Sequence, residues 1–253
     1  MRIPTRTVTG LAGAALLAAL GPLPAAAGEL VDSLTLSSAA ELVDIDKGGL
    51  LYDNWFKQLG MKAPNKTHPA YPSAGKKKGA TTWRCKECHG WDYKGRDGLY
   101  AKGSHYTGII GLRNLAHAAP ERIVAALKSK THHLKGTMPV SAMRELAEFV
   151  SKGQIETALY IDPETKTARG DPKRGERIFL LTCARCHGTD GKLMNFKTPS
   201  NPEYVGTVAR ENPWEVLHKI RFGQPGMPMI SLLAFDPQAH ADVLAFAQTL
   251  PEK

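Results

Sequence analysis

Cys85-Lys86-Glu87-Cys88-His89 and Cys183-Ala184-Arg185-Cys186-His187 repeat one pattern: two cysteines two residues apart, followed at once by a histidine. Together they use all 4 cysteines of the 253-residue chain. Three ordinary uses of paired cysteines fit poorly. A zinc ribbon sets its pairs roughly 15–20 residues apart, whereas 94 residues stand between Cys88 and Cys183. A thioredoxin-like redox motif sits in a strand–helix–strand setting, and no such pattern surrounds either pair. A structural disulfide does not require a histidine at the same offset twice.

Haem attachment accounts for the histidine. In Cys-x-x-Cys-His the two thiols add across the vinyl groups of a haem and the adjacent imidazole ligates its iron. Two intervening residues let the chain bridge both vinyl carbons, and the next residue then lies beneath the metal. On these residues the chain resembles a dihaem class I c-type cytochrome, with two tandem cytochrome c domains. The resemblance implies two covalently bound haem c groups, one at Cys85 and Cys88 and one at Cys183 and Cys186, with His89 and His187 on the irons. It also implies haem attachment outside the cytoplasm, and hence an export signal.

The N-terminus has that character. Arg2 and Arg6 precede a charge-free run from Val8 to Leu20, and Ala25-Ala26-Ala27 offers a small-residue cleavage site. Glycines and prolines interrupt the run, and it is short against the roughly 20 apolar residues of a membrane span. Residues 1–27 are therefore expected to be a signal peptide cleaved near Ala27, leaving a periplasmic protein with no membrane span. The formal charge of +9 falls with Arg2 and Arg6 to 31 basic against 24 acidic residues. Residues 28–160 hold 19 of those bases against 13 acids, and residues 161–253 hold 12 against 11. Export argues against a nucleic-acid partner. Lys76-Lys77-Lys78 reads either as a solvated loop or as a docking patch for a redox partner with an acidic surface.

The remaining sequence reads as one helical module written twice. In the second copy, residues 171–253, Asp171 suits an N-cap and Pro172 the first helical turn. Gly175 and Phe179 then share a helix face, and the haem motif follows. Ala239 to Leu250 carries apolar residues at helical spacing. This resembles the class I plan, in which an N-terminal helix crosses a C-terminal helix through a glycine and aromatic contacts, here Gly175, Phe179 and Phe246. In the first copy, residues 28–160, Gly48 and Tyr52 repeat the spacing and Phe149 matches Phe246. There, however, 32 residues separate Tyr52 from Cys85, against 3 between Phe179 and Cys183. That stretch reads as a long loop insertion with aromatic anchors, shielding a haem or offering a partner surface. Helices are expected at Pro120–Lys130 and Ser141–Val150, and a linker at residues 161–170. No strand-like alternation is present, so the fold class is all-α.

The sixth ligand of each iron separates carrier from catalyst. Histidine with methionine saturates the iron and favours the reduced state; an open position would permit chemistry. Class I cytochromes place a methionine where Met138 stands in Gly136-Thr137-Met138-Pro139, with His132 and His133 as rivals and Met143 expected in the core. In the second copy Met227 precedes Pro228 as Met138 precedes Pro139, with Met229 as the competitor. His105 and His117 read as surface or haem-edge groups, and His218 and His240 as exposed helical positions. The expected function is electron transfer between redox partners, on its own or as the cytochrome subunit of an oxidoreductase, with no catalytic residue. The alternative is a haem enzyme such as a thiosulfate dehydrogenase, whose axial cysteine has no counterpart here, or a dihaem peroxidase.

Overall fold

In the computed structural model, which describes residues 25–73 and 75–253, nine α-helices carry the chain. They are α1 (Ala25–Gln58), kinked at Asn54, whose backbone is extended (φ −158°, ψ 86°), α2 (Cys85–His89), α3 (Pro120–Leu127), α4 (Val140–Glu148), α5 (Pro172–Thr182), α6 (Ala184–His187), α7 (Val205–Glu211), α8 (Pro213–Phe222) and α9 (Pro237–Ala247). Among the described residues there is no strand, only isolated bridges such as Gly95 with Ile110. No described helix is long and apolar enough to cross a membrane. The expected signal peptide falls on residues 1–27, of which 1–24 lie outside the described residues. Residues 39–253 form one compact unit, which takes in the C-terminal part of α1.

Local signals explain where the helices begin. The Asp171 carboxylate accepts from the Lys173 amide at 2.9 Å and Pro172 opens α5, satisfying a backbone donor that the helix itself cannot. The Asp236 carboxylate does the same for α9, accepting from Gln238 N at 2.7 Å. Helix α5 then crosses α9 at a point of closest approach. A Cβ on Gly175 would strike the Asp242 carbonyl and come within 2.9 Å of Val243 N. One turn on, the Phe179 and Phe246 rings meet at 5.2 Å. The same geometry recurs between α1 and α4. A Cβ on Gly48 would strike the Glu145 carbonyl and lie 2.6 Å from Phe149 Cβ, while Tyr52 and Phe149 meet at 5.1 Å. The contacted carbonyl precedes the aromatic by four residues in both crossings.

Two apolar cores result, and they interlock. The first gathers Leu51, Tyr52, Trp55, Met138, Met143, Leu146 and Phe149, and takes in Phe222 from α8. The second gathers Ile161, Phe179, Trp214, Leu217, Val243 and Leu244, and takes in Trp91 from just beyond α2. Each exchanged aromatic ring is worth about 2–3 kcal/mol of burial. Between the cores sits Asp53, 1% exposed, bonded to Arg84 and, at 2.6 Å, to Lys219 Nζ. Burial alone would raise its carboxyl, but Lys219 and Arg84 hold it well below the ordinary aspartate range.

His218 and His240 are not exposed: they are 2% and 1% accessible. His218 donates from Nε2 to Gly49 O at 2.9 Å and receives the Tyr93 hydroxyl at Nδ1 at 3.2 Å. His240 donates from Nε2 to Leu232 O at 2.7 Å. Burial holds both neutral, near 3 and 4 respectively. Helix α3 ends at Leu127, short of Lys130, and a π turn at Phe149–Gly153 continues α4. Residues 161–170 are anchored: Ile161 is fully buried, bridges to Ala168, and Asp162 caps the turn by accepting from Glu164 N and Thr165 N at 3.0 Å.

Candidate functional site

Helix α1 fixes the first Cys-x-x-Cys-His from both sides. The Trp55 indole donates to Trp83 O at 2.9 Å just before α2, and the Tyr52 hydroxyl donates to Gly90 O at 2.5 Å just after it. Gly90 sits at φ 80°, a conformation a side chain would strain, and turns the chain away directly behind His89. His89 Nδ1–H donates to Ile110 O at 2.8 Å, which leaves Nε2 as the free nitrogen. Burial lowers His89 to about 4, so the ring is neutral and Nε2 carries a lone pair. Cys85 and Cys88 are unpaired, and burial pushes both thiols up to about 12.

The second motif follows α5 without an intervening loop. Cys183 and Cys186 are again unpaired, with the Thr182 hydroxyl 3.2 Å from Cys183 Sγ. Gly188 at φ 81° turns the chain behind His187 as Gly90 does behind His89. Burial lowers His187 as well. One difference is chemical. The buried His187 Nδ1 has no hydrogen-bond partner among the described residues, whereas His89 Nδ1 has a backbone carbonyl.

The two turns share more than the motif. His89 O accepts from Gly95 N and His187 O from Leu193 N, both at 2.9 Å and both six residues on. Asp92 accepts from Lys94 N at 3.2 Å, and Asp190 from Lys192 N at 3.0 Å. Sequence reading passed over these aspartates, although His-Gly-x-Asp-x-Lys stands at 89–94 and again at 187–192. The aspartate folds the chain back under the histidine through its own backbone.

The donor set at each motif fits a covalently held haem. At each motif two cysteines without a disulfide partner and an uncharged imidazole come together within five residues, on α2 at the first and at the start of α6 at the second. The four cysteines do not converge, and among the described residues no group of three or more His, Cys, Asp or Glu side chains is gathered for a metal ion. The candidate sixth ligands are placed unequally. Met138 is 3% exposed and belongs to the first core with Met143, whereas Met227 is 51% exposed on the loop after α8 and Met229 is half-buried. His132 is half-buried and faces His89 with ring centroids 6.4 Å apart. His105 stacks on Tyr100 at 4.8 Å and bonds Glu87 at 3.0 Å. Lys76 and Lys78 are exposed, and Lys77 N is held by the Tyr71 hydroxyl at 3.2 Å.

No curated protein and no solved structure matches the chain. The family model described as Cytochrome C oxidase, cbb3-type, subunit III matches residues 170–246, a stretch that contains the second motif from Cys183 to His187. That stretch is similar to a c-type cytochrome domain, and the similarity supports covalently bound haem c and electron transfer.

Proposed function

We propose that the chain is a dihaem c-type cytochrome, exported to the periplasm, that passes electrons between redox partner proteins. Haem c would be bound at Cys85 and Cys88 with His89, and at Cys183 and Cys186 with His187. Bound there, haem supplies one-electron oxidation and reduction at iron. The observation that carries the reading is the repeated architecture around two identical motifs. A glycine–aromatic helix crossing, a motif helix ending on a left-handed glycine and an aspartate turn recur in both halves, though the family similarity covers only the second.

The protein groups have definite tasks. The thiols tether, His89 and His187 offer neutral nitrogens, and Tyr52 and Trp55 hold the first motif rigidly against α1. Met227 is the proposed sixth ligand at the second motif; at the first, Met138 and His132 lie close together in sequence. Saturated irons suit a carrier, because little geometry changes on electron exchange. The exposed Lys76 and Lys78 suit an acidic partner. Mass spectrometry of exported protein should show two haem additions and loss of residues near 1–27. A mature protein with one haem or none would end this reading, and steady turnover of thiosulfate or peroxide without a partner protein would replace carrier by enzyme.

A further inference from the structure

His89 and His132 present a pairing that core packing does not require. Their rings lie 27° from parallel with centroids 6.4 Å apart. That separation is at the long end for two rings in direct contact. A metal–imidazole bond of about 2.0 Å, added to a ring radius of about 1.2 Å, places two imidazoles on opposite sides of one metal about 6.4 Å apart. Each ring is also committed at the nitrogen that would not bind. His89 Nδ1–H donates to Ile110 O at 2.8 Å and His132 Nδ1–H to Ala126 O at 2.9 Å. Metal-ligating histidines characteristically make this bond, because it fixes the tautomer and frees Nε2.

The chain around His132 is built to hold it. His68 Nε2–H donates to His132 O at 2.9 Å, and His68 packs edge-on against Trp83 at 4.4 Å, two residues before Cys85. His68 is itself fixed by Thr82, whose hydroxyl accepts from His68 N at 2.8 Å. His133, next in sequence, takes φ 53°, a left-handed conformation that costs a non-glycine residue energy. The long loop ahead of the first motif thus buttresses the residue opposite His89. Met138, four residues beyond Leu134, has an alternative occupation in the apolar core with Leu134, Met143 and Leu146.

We infer that His132, and not Met138, is the sixth ligand opposite His89, so that the first haem has two histidine ligands. The inference rests on haem attachment at Cys85 and Cys88. The test uses the exported, haem-loaded protein and near-infrared magnetic circular dichroism, which separates histidine–histidine from histidine–methionine iron by the charge-transfer band of each. Peptide mass spectrometry first establishes haem on residues 85–89; its absence there would overturn the attachment reading, and this inference with it. With haem present, one histidine–histidine band and no methionine-type band from the first motif is expected. Met138→Leu, which keeps core volume, should leave that band in place. His132→Ala should abolish it and take carbon monoxide binding by the reduced protein from none to one per chain. Loss of a band in Met138→Leu, or two methionine-type bands in the unmodified protein, would overturn the inference even if His132→Ala fails to fold.

Discussion

Replacing Gly48 by alanine tests whether the first half is built on the same helix crossing as the second. In a helix interior with open space, alanine is better than glycine by about 1 kcal/mol. At Gly48 the space is absent: the new Cβ would strike the Glu145 carbonyl, 2.6 Å from Phe149 Cβ and 2.8 Å from Glu145 C. Ordinary contact begins near 3.4 Å, so α1 and α4 must part by about 1 Å, against two backbones that cannot rotate away. Overpacking of this kind costs about 1–3 kcal/mol, with rigid backbone contact at the upper end. Net of the propensity gain, Gly48→Ala should lose about 2 kcal/mol. For a unit of this size that is a fall in Tm of roughly 4–8 °C. The parted helices also carry Tyr52, so its bond to Gly90 O behind the first motif should weaken and the first haem should become more accessible. Equilibrium denaturation of the loaded protein, followed by circular dichroism and by the Soret band, measures both. A variant as stable as the parent, or more so, would refute the crossing.

Other perturbations follow from particular contacts. The Asp53 carboxyl lies below its unfolded value, so its stabilisation is complete above about pH 4 and drains away as pH falls through the folded value. Asp53→Asn should cost about 3 kcal/mol at pH 7 and much less near pH 2, and an equal loss at both pH values in urea titrations would contradict the assignment. Neutralising Lys76, Lys77 and Lys78 together should slow association with an acidic redox partner at low salt, with the difference vanishing above about 0.5 M salt, where screening is complete within a few ångströms; stopped-flow rates that keep the difference at high salt would exclude a charge effect. Met227→Ala should open the second haem to carbon monoxide, whereas a spectrum altered only by Met229→Ala moves the ligand by two residues. In a spectroelectrochemical titration the haem at Cys183 and Cys186 should take up the first electron; first reduction at Cys85 and Cys88 would reverse the order of potentials argued below.

Much of the fold was legible because its signals are local. The two motifs, the Asp171-Pro172 helix start and the Gly-x-x-x-aromatic spacings each lie within a few residues, and the helix crossings use those very side chains. The contacts joining the halves were not legible. His218 looks like any polar residue on a helix, yet it sits between Gly49 and Tyr93, 169 and 125 residues away in sequence. Phe222 and Trp91 pack into the core of the opposite half for the same long-range reason. Helix α7 (Val205–Glu211) carries too short a pattern to be read alone. At the site, the attachment residues follow from spacing, but the sixth ligand depends on which of two nearby side chains turns toward His89. Sequence favours Met138 by its proline context; the ring geometry favours His132.

The ligand sets proposed here make the halves unequal, and that inequality gives electron transfer a direction. Methionine opposite histidine raises an iron potential, so the first haem, with two imidazoles, lies below the second. The backbone carbonyl on His89 Nδ1 pushes the same way, because a hydrogen-bonded imidazole is a stronger donor and favours the oxidised iron. His187 lacks that partner among the described residues, so an iron bound there would gain no such stabilisation. Electrons should therefore arrive at the first haem and settle on the second. The charge distribution agrees, since the basic excess and Lys76-Lys77-Lys78 lie in the first half, where an acidic donor would dock. A buried aromatic cluster joins the halves, in which His218 meets Trp91 at 5.1 Å and Tyr52 at 5.8 Å. Asp53 with Lys219 and Arg84 clamps the halves beside it. A fixed junction of this kind would keep the separation of haems bound at the two motifs constant from one transfer to the next, which a pair of loosely tethered domains would not provide.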